Sequence, residues 1–168
     1  VTMEAEFGIS RIATLDTEDS DPARALGSVV LARADQSALR ELADLAGKRV
    51  AAVAPEAFGG YLVAAREMLS QGVDPESDLK EIRFVGLPMS RIVEAVHARE
   101  VDAGIVRTCL LEQMASQGKI RLEDFRILSA HPVPDLPCAV STRLYPNWPI
   151  AVTRQTDPAL AKSVARAL

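Results

Sequence analysis

The chain has 168 residues, 48% hydrophobic and 25% charged, an ordinary globular composition with length for one domain or two small lobes. Its 19 basic and 23 acidic residues leave a net charge of −4, which excludes a basic footprint for nucleic acid, so any bound anion must be held by local donors. Aromatic content of 4% argues against base-stacking platforms and broad carbohydrate-binding surfaces, and no apolar run approaches the roughly 20 residues a bilayer span needs.

In chain order, Val1-Thr2-Met3-Glu4 has none of the features of a signal peptide. Residues 9–15 form a plausible strand, and 16–22 an acidic, proline-bearing loop. A second strand, rich in branched residues, is expected over 26–33. Ser37 is placed to cap a short helix carrying Leu39, Leu42 and Leu45 on one side, ending at Ala46-Gly47. From there the pattern becomes regular. Strand 50–54 leads to helix 61–70, strand 82–85 to helix 90–99, and strand 101–106 to helix 108–116, with a further strand at 125–128. Short apolar strands alternating with helices of about ten residues indicate right-handed βαβ units and a parallel sheet covered on both faces.

In such sheets ligands bind beyond the carboxyl ends of the strands. Phe58-Gly59-Gly60, Leu87-Pro88 and Arg107-Thr108-Cys109 all fall there, so three loops converge on one rim. Ala57-Phe58-Gly59-Gly60-Tyr61 is the centre of the pattern: a strand, a glycine turn and a helix start leave backbone N–H groups where an anion can sit. The plain reading of the same turn is that its glycines serve packing alone. Gly59, Gly60 and Tyr61 are candidate backbone donors, as are Thr108 and Cys109 at the next helix start. Arg107 offers a guanidinium for a forked pair with a sulfonate or phosphonate, or else an ion pair with Asp102 or Glu112. Ser28 is a candidate hydroxyl donor, while Phe58 and Tyr61 are either packing or contact residues.

The segment 129–137 carries three prolines and suits an extended crossing, after which 138–142 reads as a short strand. Residues 145–149 must be irregular, since prolines interrupt a ladder. Asp157 as N-cap and Pro158 at the first helical position announce a last helix with Leu160, Val164 and Leu168 on one face. That rhythm continues to the final residue, which suggests a piece of a larger protein. The order of elements implies a chain that visits one lobe, crosses to a second and returns. The expected division is 1–34 as part of the first lobe and the crossing strand, 35–130 as the second lobe, and 131–168 as the return.

Asp44-Leu45-Ala46-Gly47-Lys48-Arg49-Val50 followed by Phe58-Gly59-Gly60-Tyr61 resembles periplasmic substrate-binding proteins of the phosphonate/phosphite type, as does 101–106. The stretches 106–112, 137–142 and Leu144-Tyr145-Pro146-Asn147-Trp148-Pro149 are narrower. They resemble the extracytoplasmic sensor domain of two-component histidine kinases, the tetrathionate-sensor group in particular. The resemblance implies a two-lobed periplasmic-binding-protein-like α/β fold, extracytoplasmic localisation, a membrane-anchored parent protein and a small oxyanion ligand such as a sulfur oxyanion, bound between lobes that close about a hinge. It also implies a first lobe that is incomplete here, lacking two βα units ahead of Phe7. Exposed sheet edges in that lobe would invite homodimerisation.

Cys109 and Cys138 leave three readings: a structural or regulatory disulfide stapling the lobes, two buried free thiols, or a thiolate at Cys109 reacting with a sulfur oxyanion. Neither their spacing nor their neighbours suggest zinc, no cofactor is called for, and no catalytic residue emerges. Neither His97 nor His131 has a cysteine or serine nearby in sequence that makes a persuasive nucleophile–base pair, and Asp102 and Asp124 look structural. The function classes are thus a sensor input domain, a transport binding protein for phosphonate or phosphite, and, by fold analogy alone, an enzyme of thiamine-precursor type.

Overall fold

A computed structural model describes residues 2–16, 21–134 and 136–167. Two compact units emerge: Leu26–Leu144, and the two chain ends, Val1–Ala25 with Tyr145–Leu168. The boundaries therefore fall at 25/26 and 144/145 where 34/35 and 130/131 were expected. The reason is that the strand at 28–33 is flanked on both sides inside the larger unit.

In the larger unit, β2 (Ser28–Arg33), β3 (Arg49–Ala52), β4 (Glu81–Phe84), β5 (Ala103–Arg107) and β6 (Phe125–Ile127) form one sheet in the order β4-β3-β5-β2-β6. β3 pairs with β4 and with β5 in parallel, as the alternation of strands and helices predicts. β2 is the exception, running antiparallel to both β5 and β6. No βα crossover precedes it, so nothing imposes the parallel sense.

Strand alternation sends successive side chains to opposite faces, and each face carries its own core. Val30, Ala32, Val50, Ala52 and Ile105 pack on one side with Leu42, Leu45, Ala64 and Met68. Val29, Leu31, Ala51 and Val106 pack on the other with Ile92, Val96, Leu111 and Met114. The first layer is covered by α2 (Val63–Ser70), and the second by α3 (Ser90–His97) and α4 (Leu110–Ser116). Leu31, Leu42, Met68, Ile92 and Ile105 are fully buried, each contributing about 1.5–3 kcal/mol by leaving water. Gly104 is required for this packing, because a Cβ there would lie 2.5 Å from Ile92 Cγ2. The short helix after Ser37 is a single 3-10 turn, Leu42–Leu45. Glu41 caps it, in a capping box with Asp44, so Ser37 has no capping role.

The smaller unit pairs β1 (Ser10–Thr14) with β7 (Pro149–Val152) antiparallel, with a bulge between Arg11 and Ala13. It also holds α1 (Thr2–Phe7), which the sequence pattern did not announce, and α5 (Pro158–Ala167). Asp157 caps α5 as expected, its Oδ1 accepting from the amides of Ala159 (2.6 Å) and Leu160 (3.1 Å). Of the expected apolar face, Leu160 is 58% exposed, Val164 is exposed, and Leu168 lies outside the described residues. The acidic loop falls mostly on 17–20, also outside them. Pro149 opens β7 at a sheet edge, where a missing N–H is tolerated. No helix among the described residues is long and apolar enough to cross a membrane.

Candidate functional site

The parallel sense of β3, β4 and β5 brings their carboxyl ends to one edge of the larger unit. The chain leaves β3 through a five-residue π turn, Phe58–Leu62, that runs directly into α2. Such wide turns are rare and favour functional sites. The amides leading a helix have no acceptor within it, so this turn presents donors at the strand edge. Both glycines are nevertheless fixed by packing. A Cβ on Gly60 would lie 2.6 Å from Val53 Cγ2, and one on Gly59 would lie 3.2 Å from the Gly27 carbonyl oxygen. The same position would be 3.8 Å from Arg107 Cβ, so the glycine turn and the end of β5 are neighbours with room for a methyl group between them.

Arg107 ends β5 and is exposed. Its Nη1 donates to the Thr108 carbonyl (3.1 Å) and its Nη2 to Gln113 Oε1 (2.6 Å). Neither expected acid, Asp102 or Glu112, forms an ion pair with it among the described residues; Asp102 belongs to Arg49. Gln113 escaped the sequence reading. A helix that folds straight back from a strand end puts its first turn beside that strand's last side chain, which is the signal that could have found it.

The remaining candidates are turned inward. Ser28 is fully buried, and its hydroxyl donates to the Gly59 carbonyl at 2.8 Å. The Thr108 hydroxyl donates to the Gly27 carbonyl (3.0 Å) and accepts from the Gly27 amide (2.9 Å), while the Thr108 amide also donates to that carbonyl. These bonds lock the start of β2 against the end of β5 and the glycine turn. Tyr61 packs in the core, its ring edge-on to Phe84 with centroids 5.1 Å apart. Burial raises its hydroxyl pKa, with smaller contributions from Glu76 and Asp74. Phe58 is half-buried.

Cys109 and Cys138 are joined by a disulfide. Of the three readings left open this is the disulfide, and since both cysteines lie in the larger unit the bond ties that unit to itself. Cys109 has φ +59°, a left-handed backbone where the chain turns from β5 into α4. Cys138 begins the segment expected as a strand, but only one bridge forms, His131 to Val140. Side chains do the work of a ladder there. Ser141 Oγ accepts from the Val30 amide (2.9 Å), Thr142 Oγ1 from the Ser28 amide (3.0 Å), and the Ser141 amide donates to the Ser28 carbonyl (3.0 Å). β6 covers only Leu31–Arg33 of the same edge, and 141–142 fastens the rest.

The opposite end of the strands holds a wide polar cavity of about 580 Å³ lined by Lys48, Arg49, Lys80 and Asp102. It lies at the amino ends of β3 and β5, away from the rim. Arg49 is already committed there, its Nη2 3.0 Å from Asp102 Oδ1 and its Nη1 donating to the Glu100 carbonyl at 2.7 Å. This hydrogen bonding holds the Asp102 carboxyl below its ordinary 3.8. No group of three or more histidine, cysteine or acidic side chains is arranged to hold a metal among the described residues.

Comparisons with known proteins bear on the family and the fold. A family model described as the periplasmic substrate-binding protein of a phosphonate ABC transporter matches residues 1–168. The chain is 43% identical over 143 residues to the tetrathionate sensor histidine kinase TtrS of Salmonella typhimurium, a match spanning 85% of this chain and 24% of that protein. Among solved structures, a Xanthomonas citri protein bound to ATP matches with a TM-score of 0.74 and 19% identity, over 95% of this chain and 56% of that one. The binding-protein component of a Pseudomonas aeruginosa phosphonate ABC transporter matches with a TM-score of 0.63 and 15% identity, over 92% and 46% respectively. The chain thus spans about half the length of these structures and a quarter of the kinase.

Proposed function

The chain belongs to the phosphonate ABC-transporter family of periplasmic substrate-binding proteins, a family of extracytoplasmic binding domains and not of catalysts, and from this we propose that its larger unit binds a small oxyanion at the β3–β5 rim. One observation carries the reading: a side chain at Gly59 would meet Arg107 Cβ, so an arginine and the leading amides of a helix share one strand edge. An oxyanion needs that pairing of N–H donors and a guanidinium. Ser28, Thr108 and the Tyr61 ring shape the rim from behind, and Arg107 with the Gly59, Gly60 and Cys109 amides faces the ligand.

The domain serves as the input of a sensor histidine kinase, a reading supported by the identity to a tetrathionate sensor kinase over most of this chain. The ligand on this reading is a sulfur oxyanion of modest size, and its occupancy is passed to the kinase across the membrane. A second reading, delivery of a phosphonate or phosphite to a transporter, is supported by the family description. Thermal denaturation with tetrathionate, thiosulfate, sulfite, phosphite and methylphosphonate separates the two. A ligand at a hundred times its dissociation constant adds about 2.7 kcal/mol, a shift of several degrees. Stabilisation by tetrathionate that is lost in Arg107→Ala supports the sensor reading. Stabilisation by phosphite or phosphonate alone moves the assignment to transport, and no shift with any anion overturns the rim as an anion site.

A further inference from the structure

A second cavity, of about 440 Å³, lies within the larger unit between Glu112 of α4 and residues 130–132 and 136–139. Leu122, Leu136 and Pro137 give it apolar walls, and Glu112, His131 and Cys138 line it as well. Glu112 Oε2 is buried with no hydrogen-bond partner among the described residues. A carboxylate oxygen removed from water and left unpaired is strongly disfavoured, so it is a standing acceptor for a donor brought into the cavity. His131, on the same cavity, makes no hydrogen bond to that oxygen, and its Nδ1 lies 3.3 Å from the Ser129 carbonyl oxygen. One half of the disulfide lines the same cavity, with Cys138 7% exposed and Cys109 three residues before Glu112 in sequence.

We infer that this cavity docks a low-molecular-weight thiol carrying an ammonium or similar N–H donor, and that the docked thiol exchanges with the Cys109–Cys138 disulfide. The ammonium pairs with Glu112 Oε2, the methylenes lie on Leu136 and Pro137, and the sulfur reaches Cys138. The attacking species is the thiolate, already ionised in solution. It forms a bond to Cys138 Sγ as the Cys138–Cys109 bond breaks, and the electron pair leaves on Cys109 Sγ, which then takes a proton from water. A second thiolate attacks the small thiol's sulfur in the mixed disulfide and releases Cys138. In sum, two small thiols are oxidised to their disulfide and the protein disulfide is reduced to two thiols. The site stands whether or not the rim binds an anion. Its consequence is local: once the bond is cut, the hydrogen bonds of Ser141 and Thr142 are what hold the 138–142 segment to β2 among the described residues.

The test is the rate of disulfide reduction in the full oxidised chain by cysteamine, 2-mercaptoethanol and thioglycolate, at matched thiolate concentrations and corrected for thiol pKa. Quenching with iodoacetamide and mass spectrometry give the rates, and peptide mapping places the mixed disulfide. Cysteamine should react about tenfold faster than 2-mercaptoethanol, the size of one charge-assisted hydrogen bond, with thioglycolate slowest and the adduct on Cys138. Glu112→Gln should bring the cysteamine to 2-mercaptoethanol ratio to about one, since the charge that selects the ammonium is gone. Leu122→Lys, at a wall position 45% exposed and tolerant of change, should reverse the order in favour of thioglycolate. Rates that follow thiol pKa alone, an adduct confined to Cys109, or a cysteamine advantage that survives Glu112→Gln would each overturn the assignment.

Discussion

The two units of this chain reach order by different means. Leu26–Leu144 has a sheet with a buried apolar layer on each face. In the smaller unit Asn147 is the single buried residue among those described, while Phe7, Leu15, Trp148, Leu160 and Val164 are exposed. What holds that unit is polar: the β1–β7 ladder between the two chain ends, the Asp157 cap and the Glu4–Arg11 pair at 2.8 Å. Two strands without a hydrophobic face are marginal in water. The difference teaches that regular backbone hydrogen bonding specifies a shape, whereas withdrawal of apolar surface from water is what gives it a stability reserve.

The sharpest way to break this comparison is to truncate one buried leucine and one exposed leucine. Leu31→Ala, or Ile92→Ala, should cost about 2–5 kcal/mol in urea denaturation, whereas Leu160→Ala should stay within about 0.5 kcal/mol. Equal effects would mean that the smaller unit has an apolar core after all. Next in size is the disulfide. With its cysteines 29 positions apart in sequence, replacing both by serine should lower the stability of the larger unit by about 3 kcal/mol. Amide exchange in β1 and β7 should be unchanged by that replacement, and acceleration there would contradict the separation of the units.

Gly104→Ala tests how closely the second face is packed. The new methyl meets Ile92, so α3 must shift, with a loss of about 1–3 kcal/mol read from the thermal midpoint. A neutral result would show that α3 is free to move. The smallest expected effect is electrostatic. Asp102 has a folded pKa depressed by Arg49, so its stabilisation is present above its ordinary 3.8 and disappears as pH falls through the folded value. The stability gap between the native chain and Asp102→Asn should therefore be full at pH 7 and narrow below about pH 4. A gap that is constant with pH would remove the Arg49–Asp102 pair from the account.

Much of the larger unit was legible because its strands are short branched runs between helices whose apolar spacing is unmistakable, as in Ile92, Val93 and Val96 of α3. Strand direction was not legible for β2, since alternation of Val29, Val30 and Leu31 says which face a side chain takes but not which way the strand runs. Residues 138–142 looked like a strand because branched residues report burial, and here burial comes with side-chain bonds from Ser141 and Thr142 in place of a ladder. At the rim the positions were readable and the orientations were not. Phe58 to Tyr61 and Arg107 to Cys109 do meet at one edge, but Ser28 and Thr108 turned out to bond to backbone 31 and 81 residues away. Contacts of that separation leave no local trace. The disulfide was one of three open readings for the same reason.

The bonds between Ser28 and 141–142, together with Gly27 packed so closely on Leu144 that a Cβ there would lie 2.7 Å from Leu144 Cδ2, place the two ends of the larger unit side by side. A segment whose first and last residues abut is an insertion in the topological sense: it can be excised as one continuous piece without tearing its sheet. The same property makes it transplantable into a loop of an unrelated host, where the paired ends would fit a gap no wider than a hairpin.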